Sequence, residues 1–451
     1  MQQQLDQLFE RVKQRDPAQP EFLQAVEEVL STLAPVLEKY PEYLPVLERL
    51  VEPERMIIFR VPWLDAQGNS RVNRGIRVQY NSALGPYKGG CRFHPSVNLS
   101  VIKFLGFEQI FKNALTGLPL GAGKGGADFD PKGKTEMEIE LFCQSFMTEL
   151  QRYLGPNTDV PAGDIGVGKR EVGYMFGQYK RIRNAWEGIL TGKGYEYGGS
   201  LIRPEATGYG TIYFANEMLQ EHGLDIKGKR CCVSGAGNVA QFACEKLLDM
   251  GAVPLTMSDS SGYIYEPEGI TREKLAIIMK LKNVDRQRLS EYPKLSPSAK
   301  YVAGKRPWEV VCELAFPCAT QNEISGEDAE TLIKNGCFLV AEGANMPSVP
   351  AAIHKYMASN GPNGIPFLYG PGKAANSGGV AVSGLEMTQN SMRLRWSREE
   401  VDNKLKDIMK SVFQVARDTA EDLGKPHNYM LGANCGGFLR VAAAMQKQGC
   451  V

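Results

Sequence analysis

The stretch KRCCVSGAGNVAQFACEKLLDMGA, residues 229–252, decides the fold of this chain. A short apolar run leads into the motif G-A-G-N-V-A and then into an amphipathic helical pattern. In such a motif the first glycine, Gly235, permits a tight turn, and the second, Gly237, lets the backbone approach a pyrophosphate. The small Ala240 lets the helix pack on the strand, and the helix N-terminus favours an anion. The stretch therefore predicts a Rossmann-type, dinucleotide-binding unit.

The choice of coenzyme depends on the segment that follows. Asp259 ends the next strand-like run, at about the 20-residue interval at which an acidic residue binds the ribose of NAD. The serines around it favour NADP instead, because Ser260 can donate to a 2′-phosphate if the carboxylate turns away. Three cations follow, and they either contact such a phosphate or form a solvated helix end. They are Lys282, Arg286 and Arg288. Both coenzymes stay open at this point.

The chain after residue 201 continues to alternate helical segments with short apolar runs. These runs are VPLTMSDSSG, LAFPCATQN and CFLVAEGAN. Strands alternating with helices predict a parallel, doubly wound sheet over residues 201–426. Residues 1–200 read as a separate α/β domain. Its predicted elements are helices over 1–50, strands at 55–63 and 71–80, and helices at 98–116, 136–154 and 169–190. The C-terminal segment 427–451 suits either domain and is assigned to the first.

The composition is that of an ordinary globular protein, with 43% hydrophobic and 23% charged residues. Basic and acidic residues number 52 and 51, so no net charge favours nucleic acid or a membrane surface as a partner. The N-terminus lacks the apolar region of a secretory signal, and ten scattered cysteines suit a reduced, cytoplasmic protein. The four histidines are isolated from one another, so we expect no metal site.

Three lysines lie in unusual settings within 40 residues: Lys88 in GPYKGGCRFHP, Lys112 in EQIFKNALTG and Lys124 in GAGKGGADFD. Gln109 and Lys112 are three residues apart on a predicted helix, share a face and could together hold a carboxylate. Alternatively, Lys112 forms an ordinary surface pair with Glu108 at i,i+4, worth about 0.3–0.5 kcal/mol.

Lys124 lies in a segment, residues 118–134, that is too rich in glycine and proline to form a helix or a strand. Glycines at 121, 123, 125 and 126 leave the backbone around the long cationic side chain of Lys124 without side chains of its own, which permits close approach by a ligand. A lysine partly out of water and near other cations can act as a base near neutral pH. Asp164, in DVPAGDIGVG, also lies between glycines, although such an aspartate is more often a turn former.

Together these segments resemble the glutamate dehydrogenase family, and the resemblance runs through nearly the whole chain. The motifs that carry it are YKGGCRFHP, GLPLGAGKGGADFDPKGK, DVPAGDIGVG, RPEATGYG, GAGNVA, CATQNE, AEGANMP and AANSGGVAVSGLEM. The family interconverts L-glutamate with 2-oxoglutarate and ammonia, or ammonium, using a nicotinamide coenzyme. The SDSSG pattern and the length resemble its small, hexameric, NADP-preferring branch. The resemblance thus implies a homohexamer in ammonia assimilation, with NADP, or else NAD, as cofactor.

The resemblance also implies roles in catalysis and substrate binding. Lys124 would be the catalytic lysine, and Asp164 would move protons to and from the departing nitrogen. Both belong to the N-terminal domain, residues 1–200, which would then bind substrate and form subunit contacts.

For the substrate, the resemblance assigns the α-carboxylate to Lys112 and Gln109. It assigns the side-chain carboxylate to Lys88, together with Ser383 from the other domain. Ser383 also begins the pattern Ser-Gly-Leu-Glu, so a capping box at a helix start is the structural alternative. The remaining substrate contacts would be Gly163 and Val380.

The expected coenzyme contacts combine the glycine motif with the resemblance. They are Thr207, Gly235, Gly237, Asn238, Val239, Asp259, Ser260, Asn345, Asn376, Lys132 and Lys282. Three rival interpretations remain. They are an NAD-dependent glutamate dehydrogenase, a dehydrogenase of another amino acid, and a non-catalytic nucleotide-sensing protein on the same fold.

Overall fold

The computed structural model describes all 451 residues, and the chain forms two compact units. The first unit comprises Met1–Arg203, Val380–Val401 and Asn434–Val451, and the second comprises Pro204–Gly379 and Asp402–Ala433. Each unit combines helices with a sheet, so the predicted two-domain α/β class is confirmed.

The unit boundaries differ from the predicted ones near the C-terminus. Residues 380–401, assigned by sequence to the nucleotide-binding domain, lie in the first unit, and residues 427–433 lie in the second. The reason for the first difference is side-chain pairing: Glu386 forms a buried ion pair with Lys193, and Gln389 donates to Ser200. A buried charge needs its partner nearby, so this segment folds with residues 190–203.

The first unit contains a mixed sheet flanked by helices. Its elements are α1 (Gln2–Arg15), α2 (Pro20–Lys39), α3 (Leu44–Leu50), β1 (Arg55–Leu64), β2 (Ser70–Asn81), β3 (Tyr87–Phe93), α4 (Leu99–Leu115), β4 (Ala122–Ala127), α5 (Glu136–Leu150), β5 (Asp159–Gly163) and α6 (Lys169–Arg183). The strand order is β1-β2-β4-β3-β5. Strands β1, β2 and β4 pair antiparallel, whereas β3 pairs parallel with both β4 and β5.

The strand β4 is a correction to the sequence analysis. Residues 118–134 were too glycine-rich for a predicted strand, yet Ala122–Ala127 lies fully buried between β2 and β3. A Cβ at Gly123 would lie 3.2 Å from the guanidinium of Arg77, and one at Gly125 would lie 2.9 Å from its Cδ. These two glycines therefore leave room for the side chain of Arg77. The sequence had instead suggested that they permit close approach by a ligand.

Arg77 of β2 passes beneath these glycines to Asp159, the first residue of β5. Its Nε donates to Oδ2 of Asp159 at 2.9 Å, a second nitrogen donates to Oδ1, and a third donates to the carbonyl of Gly89 at 3.1 Å. Gln79 also donates to Asp159, at 3.0 Å. Both charged side chains are 0% exposed, so each charge is neutralised only by this network.

The outer face of the β1/β2 ribbon carries exposed apolar side chains. They are Met56, Ile58, Leu64 and Val72, which are 42–61% exposed. Strand β1 is also at the edge of the sheet, so one row of its backbone groups is unpaired.

The second unit contains the predicted parallel sheet. Its elements are α7 (Ala206–Glu221), β6 (Arg230–Val233), α8 (Asn238–Asp249), β7 (Val253–Pro254), β8 (Thr256–Asp259), β9 (Gly262–Tyr265), α9 (Arg272–Met279), β10 (Lys300–Ala303), β11 (Leu314–Phe316), α10 (Gly326–Lys334), β12 (Leu339–Ala341), α11 (Pro350–Met357), β13 (Leu368–Gly370) and α12 (Gly372–Ala375). The parallel strands are ordered β13-β12-β11-β6-β7, and β8, β9 and β10 form an antiparallel sheet. All of these strands are parallel, and successive strands are added on opposite sides of β6, with β7 on one side and β11, β12 and β13 on the other. The boundary between β6 and β11 is therefore the switch point at which ligands bind in open α/β sheets.

Three long helices complete the chain: α13 (Gly378–Met392), α14 (Arg398–Asp422) and α15 (Tyr429–Gln448). None of the helices combines the length and apolar composition that a membrane span requires. All ten cysteines are free thiols, of which nine are buried and only Cys450 is exposed.

We predict that Gly125→Ala lowers the free energy of unfolding by about 1–3 kcal/mol, the usual cost of overpacking a buried site. The added Cβ would lie 2.9 Å from both Arg77 and the carbonyl oxygen of Ile76. Gly177→Ala is the matched control, since no heavy atom lies within 4 Å of a Cβ at that position on α6. Denaturant unfolding followed by far-ultraviolet circular dichroism measures both variants. An unchanged midpoint for Gly125→Ala would contradict the packing constraint.

Candidate functional site

An ion pair between Lys124 and Asp164 lies at the centre of the candidate site in the first unit. Lys124 projects from β4, and Asp164 follows directly after β5. The Nζ of Lys124 lies 3.0 Å from one oxygen of Asp164, and the Nε of Arg92, on β3, lies 2.6 Å from the other. Three neighbouring strands therefore bring one carboxylate and two cations together. Arg92 was not among the predicted site residues, although it lies in the quoted segment YKGGCRFHP.

The charge state of Asp164 follows from these two neighbours. Burial acts to raise the pKa of its carboxyl, but the charges and hydrogen bonds of Lys124 and Arg92 lower the pKa well below its usual value. Asp164 is thus an anion that accepts hydrogen bonds on both oxygens. Its side chain is 16% exposed, so it is accessible to a small ligand.

Helix α4 presents Gln109 and Lys112 next to this pair. The amide of Gln109 donates to Asn113 at 2.6 Å, and Asn113 in turn donates to the carbonyls of Lys88 (3.0 Å) and Gly121 (2.5 Å). Asn113, which the sequence analysis missed, therefore ties α4 to the backbone on either side of the site. Burial, and then the charge of Lys124, lower the pKa of Lys112 to about 8.

A second group of cations surrounds Lys88. This lysine is 1% exposed, and no acceptor lies within hydrogen-bonding distance of its ammonium. Burial, and then the charges of Arg203 and Arg77, lower its pKa well below the usual value. Arg203 donates from Nε to the Ser383 hydroxyl at 3.1 Å. Because Asp159 already neutralises Arg77, the Lys88–Arg203 group carries an excess of positive charge.

Ser383 requires two corrections. It lies in the first unit together with Lys88, and not in the other domain as expected. It is also not a helix cap, because α13 begins at Gly378 and Ser383 lies inside it. Glu386, which would complete a capping box, instead pairs with Lys193 at 2.8 Å and accepts the backbone N–H of Gly192 at 2.9 Å.

The other two predicted substrate contacts lie close to these residues in the chain. Val380 is in α13, three residues before Ser383, so the two share a helix face. Gly163 ends β5 next to Asp164, and a Cβ there would lie 2.5 Å from the carbonyl oxygen of Val167. Only glycine fits this turn. Arg203 is the main cation near Lys88 that sequence reasoning missed, although it begins the quoted RPEATGYG.

In the second unit, the glycine motif has the geometry required to hold a pyrophosphate. Gly235 has a φ of +86°, and a Cβ there would lie 2.8 Å from the carbonyl oxygen of Cys318 after β11. Gly237 is the N-cap of α8, and no heavy atom lies within 4 Å of a Cβ built on it. Asn238 and Val239 begin this helix, and the first backbone N–H groups of a helix have no acceptor within the helix itself. The residues present fit a dinucleotide.

The carboxylate of Asp259 is saturated by four donors. Ser261 donates from its backbone and its hydroxyl, at 3.0 and 2.6 Å, and the backbone N–H of Leu289 donates at 2.8 Å. Lys282, in a π-helical turn at residues 280–284, donates at 3.2 Å. Burial acts to raise the pKa of Asp259, but these hydrogen bonds lower it below its usual value. Arg288 donates to the Ser260 hydroxyl at 2.6 Å, so these cations are not merely a solvated helix end.

The remaining predicted coenzyme residues are divided between the units. Asn376, which is 3% exposed, donates to the side chain of Asn345 and to the carbonyl of Ala344, both at 2.9 Å. Thr207 lies in the first turn of α7. Lys132 lies in the first unit on an exposed turn, where its backbone N–H donates to Asp130.

Two family models match this chain. The model described as Glutamate/Leucine/Phenylalanine/Valine dehydrogenase matches residues 198–449, and that of the Glu/Leu/Phe/Val dehydrogenase dimerisation domain matches residues 53–181. Together they cover most of both units.

Individual relatives are similar over the full length. The chain is 59% identical to an NADP-specific glutamate dehydrogenase of Giardia intestinalis, over 100% of this chain and 99% of the relative. It is 52% identical to an NAD-specific glutamate dehydrogenase of Porphyromonas gingivalis, over 98% and 99% of the two chains. Among solved structures, glutamate dehydrogenase 2 of Plasmodium falciparum superposes with a TM-score of 0.95 at 58% identity, over 99% and 97% of the chains.

We predict that Lys112→Met stabilises the folded chain by about 1 kcal/mol at pH 7. The fold lowers the pKa of Lys112 from 10.5 to about 8, so at pH 7 the side chain carries a charge that the folded state disfavours. Each pKa unit corresponds to about 1.4 kcal/mol, and lost contacts offset part of this gain. The gain in stability of the variant over the wild type is largest below pH 8 and decreases as the pH rises toward 10.5.

Denaturant unfolding at a series of pH values measures this effect. Lys112→Arg, which keeps the charge, is the control and should show no gain. A Lys112→Met variant that is less stable than the wild type at pH 7 would contradict the inference that the folded state disfavours the charge of Lys112.

Proposed function

Because the chain belongs to the glutamate/leucine/phenylalanine/valine dehydrogenase family, and is therefore an amino-acid dehydrogenase, we propose that it acts on L-glutamate with NADP as its coenzyme. The reaction is the reversible oxidative deamination of glutamate to 2-oxoglutarate and ammonia. The observation that carries the choice of substrate is the buried, unpaired ammonium of Lys88 beside Arg203.

The charge around Lys88 favours a dicarboxylic substrate. An unpaired buried cation is costly, and a carboxylate that reaches it recovers that cost on binding. Leucine, phenylalanine and valine would place apolar atoms there and leave two cations unneutralised. Ser383, held by Arg203, adds a hydroxyl to the same group. In this proposal Lys88, Arg203 and Ser383 hold the side-chain carboxylate, and Lys112 with Gln109 holds the α-carboxylate.

The pair Lys124 and Asp164 supplies the proton chemistry. The coenzyme, when bound, accepts a hydride from the substrate Cα, which leaves an imine. We assign to Lys124 the activation of the water that adds to this imine, because its amine is largely buried and lies 3.0 Å from the hydrogen-bond acceptor Asp164. We assign to Asp164 the transfer of protons to and from the substrate nitrogen, since its carboxylate lies beside Lys124 and is partly exposed.

The preference for NADP follows from the donors that saturate Asp259. A carboxylate already bound by Ser261, Leu289 and Lys282 is a poor acceptor for a ribose hydroxyl. Ser260 and the cations Lys282 and Arg288 instead suit a 2′-phosphate. The remaining expected contacts are Thr207, the glycine motif, Asn345, Asn376 and Lys132. An NAD-dependent enzyme is the second candidate, since the relative from Porphyromonas gingivalis is named NAD-specific.

The proposal includes a homohexamer located in the cytoplasm. Exposed apolar residues on β1 and β2 and the unpaired edge of β1 support contact with a second copy, and both strands lie in the range matched by the dimerisation-domain model. Ten free thiols favour a reducing compartment.

One assay tests reaction, substrate and coenzyme together. The purified chain is mixed with 2-oxoglutarate and ammonium, and the loss of reduced-nicotinamide absorbance is followed with NADPH and with NADH in parallel. We expect rapid oxidation of NADPH and much slower oxidation of NADH. Faster oxidation of NADH would overturn the coenzyme assignment. Coenzyme binding without turnover of any amino acid would favour the nucleotide-sensing alternative.

We predict that Lys124→Ala lowers kcat by about 10²–10⁴-fold, the usual contribution of a positioned acid–base group. Lys134→Ala is the control, because this lysine is exposed in the same glycine-rich segment. Steady-state kinetics on folded variants measure both. If Lys124→Ala kept near-wild-type turnover, the catalytic assignment would be wrong.

We predict that Lys88→Leu lowers kcat/KM for glutamate by roughly 30-fold or more, since losing one partner of a buried charge pair costs about 2–5 kcal/mol. Activity with norvaline, whose side chain is apolar, should fall less or rise. Lys103→Leu is the control: Lys103 is equally buried but pairs with Asp16 at 2.7 Å, away from this group. An unchanged ratio between the kcat/KM values for glutamate and norvaline would contradict the role of Lys88 in binding the side-chain carboxylate.

A further inference from the structure

Glu342, the residue after β12, is a buried carboxylate that the proposed reaction does not use. It is 2% exposed, and each of its oxygens accepts a backbone N–H from a different segment. Ser348 donates to Oε1 at 3.3 Å, and Gly372 donates to Oε2 at 2.8 Å. The Tyr369 side chain also hydrogen-bonds to this carboxylate. One side chain therefore links the loop after β12 to the segment after β13.

These two segments carry Asn345 and Asn376, the paired amides. Asn345 lies three residues before Ser348, and the backbone N–H of Asn376 donates to the carbonyl of Gly372 at 3.0 Å. The packing between the segments is tight, since a Cβ at Gly372 would lie 2.9 Å from the carbonyl oxygen of Ala344. A shift of either anchored amide would thus move the asparagines relative to each other.

We propose that Glu342, in its ionised form, is a positioning residue for the coenzyme. It holds the Ser348 and Gly372 N–H groups so that the side chains of Asn345 and Asn376 stay paired at the carboxyl edge of the sheet. This inference rests on the proposed function, in which these two asparagines contact the coenzyme.

The surroundings of Glu342 favour one ionisation state for this role. The ionised carboxylate accepts from both N–H groups at full strength, whereas protonation turns one oxygen into a hydroxyl donor and weakens the hydrogen bond that this oxygen accepts. The titratable groups that face it are the phenols of Tyr369, on β13, and Tyr356, on α11. Burial raises the pKa of Glu342 to about 7, within the range in which an enzyme works. Coenzyme binding therefore weakens as the pH falls through 7.

The test is the dissociation constant of NADPH, measured by its fluorescence from pH 6 to pH 8.5. For the wild-type chain we expect a several-fold increase from pH 8 to pH 6. A glutamine at position 342 cannot accept from both N–H groups. The Glu342→Gln variant should therefore bind NADPH at least tenfold more weakly at pH 8 and lose the pH dependence that arises from titration of Glu342. Glu138→Gln is the matched control, because Glu138 also accepts two backbone N–H groups, from Thr135 and Ala66, but in the first unit.

A second measurement does not depend on the folding of a variant. Hydrogen exchange of the wild-type chain should show the amides of Ser348 and Gly372 losing protection, after correction for intrinsic rates, as the pH falls below 7. Unchanged NADPH affinity and pH dependence in Glu342→Gln, or constant protection of both amides, would overturn the proposal. Failure of the wild-type chain to bind NADPH or NADH at any pH would instead overturn the proposed function.

Discussion

The buried ion pair between Arg77 and Asp159 is the interaction on which the first unit depends. It joins β2 to β5 beneath the two strands that separate them, and neither side chain reaches solvent. Removing one partner of such a pair typically costs about 3–5 kcal/mol, because the remaining charge stays buried alone. The arginine also determines what its neighbours can be, since Gly123 and Gly125 leave no space for a Cβ. Successive strand residues face opposite sides, so Lys124 projects away from Arg77, toward α4 and Asp164.

The same unit concentrates positive charge around Lys88 and Arg203, beyond what the neighbouring carboxylates balance. Lys88 and Lys112 are withdrawn from water and have lowered pKa values, and Arg203 is bonded to a neutral hydroxyl. A sequence selected for stability alone would replace such cations with apolar residues. The retention of Lys88 and Arg203 is physically consistent with a ligand carboxylate that supplies the missing charge. Asp164 differs from them, because its two cations are already provided by the protein.

Much of this architecture follows from local sequence patterns, and the exceptions have identifiable causes. The hairpin predicted at 55–63 and 71–80 and the helix predicted at 98–116 are confirmed within one or two residues, because their apolar spacing is regular. The strand β4 was missed because Gly123 and Gly125 are required by Arg77, a side chain more than 40 positions earlier in the sequence, which no local pattern reveals. Within the site, Lys124 and Asp164 stand out by their glycine-rich settings. Arg203 and Asn113 do not, since only the fold brings them to Ser383 and Lys88.

The distribution of thiols has a practical consequence for experiments on subunit number. Nine of the ten cysteines are buried, and buried thiols react slowly because a reagent in solution does not reach them. Cys450, one residue from the C-terminus, is the only exposed one. A maleimide dye should therefore attach once per chain without any engineered cysteine. Counting photobleaching steps of single labelled particles would then report how many chains assemble.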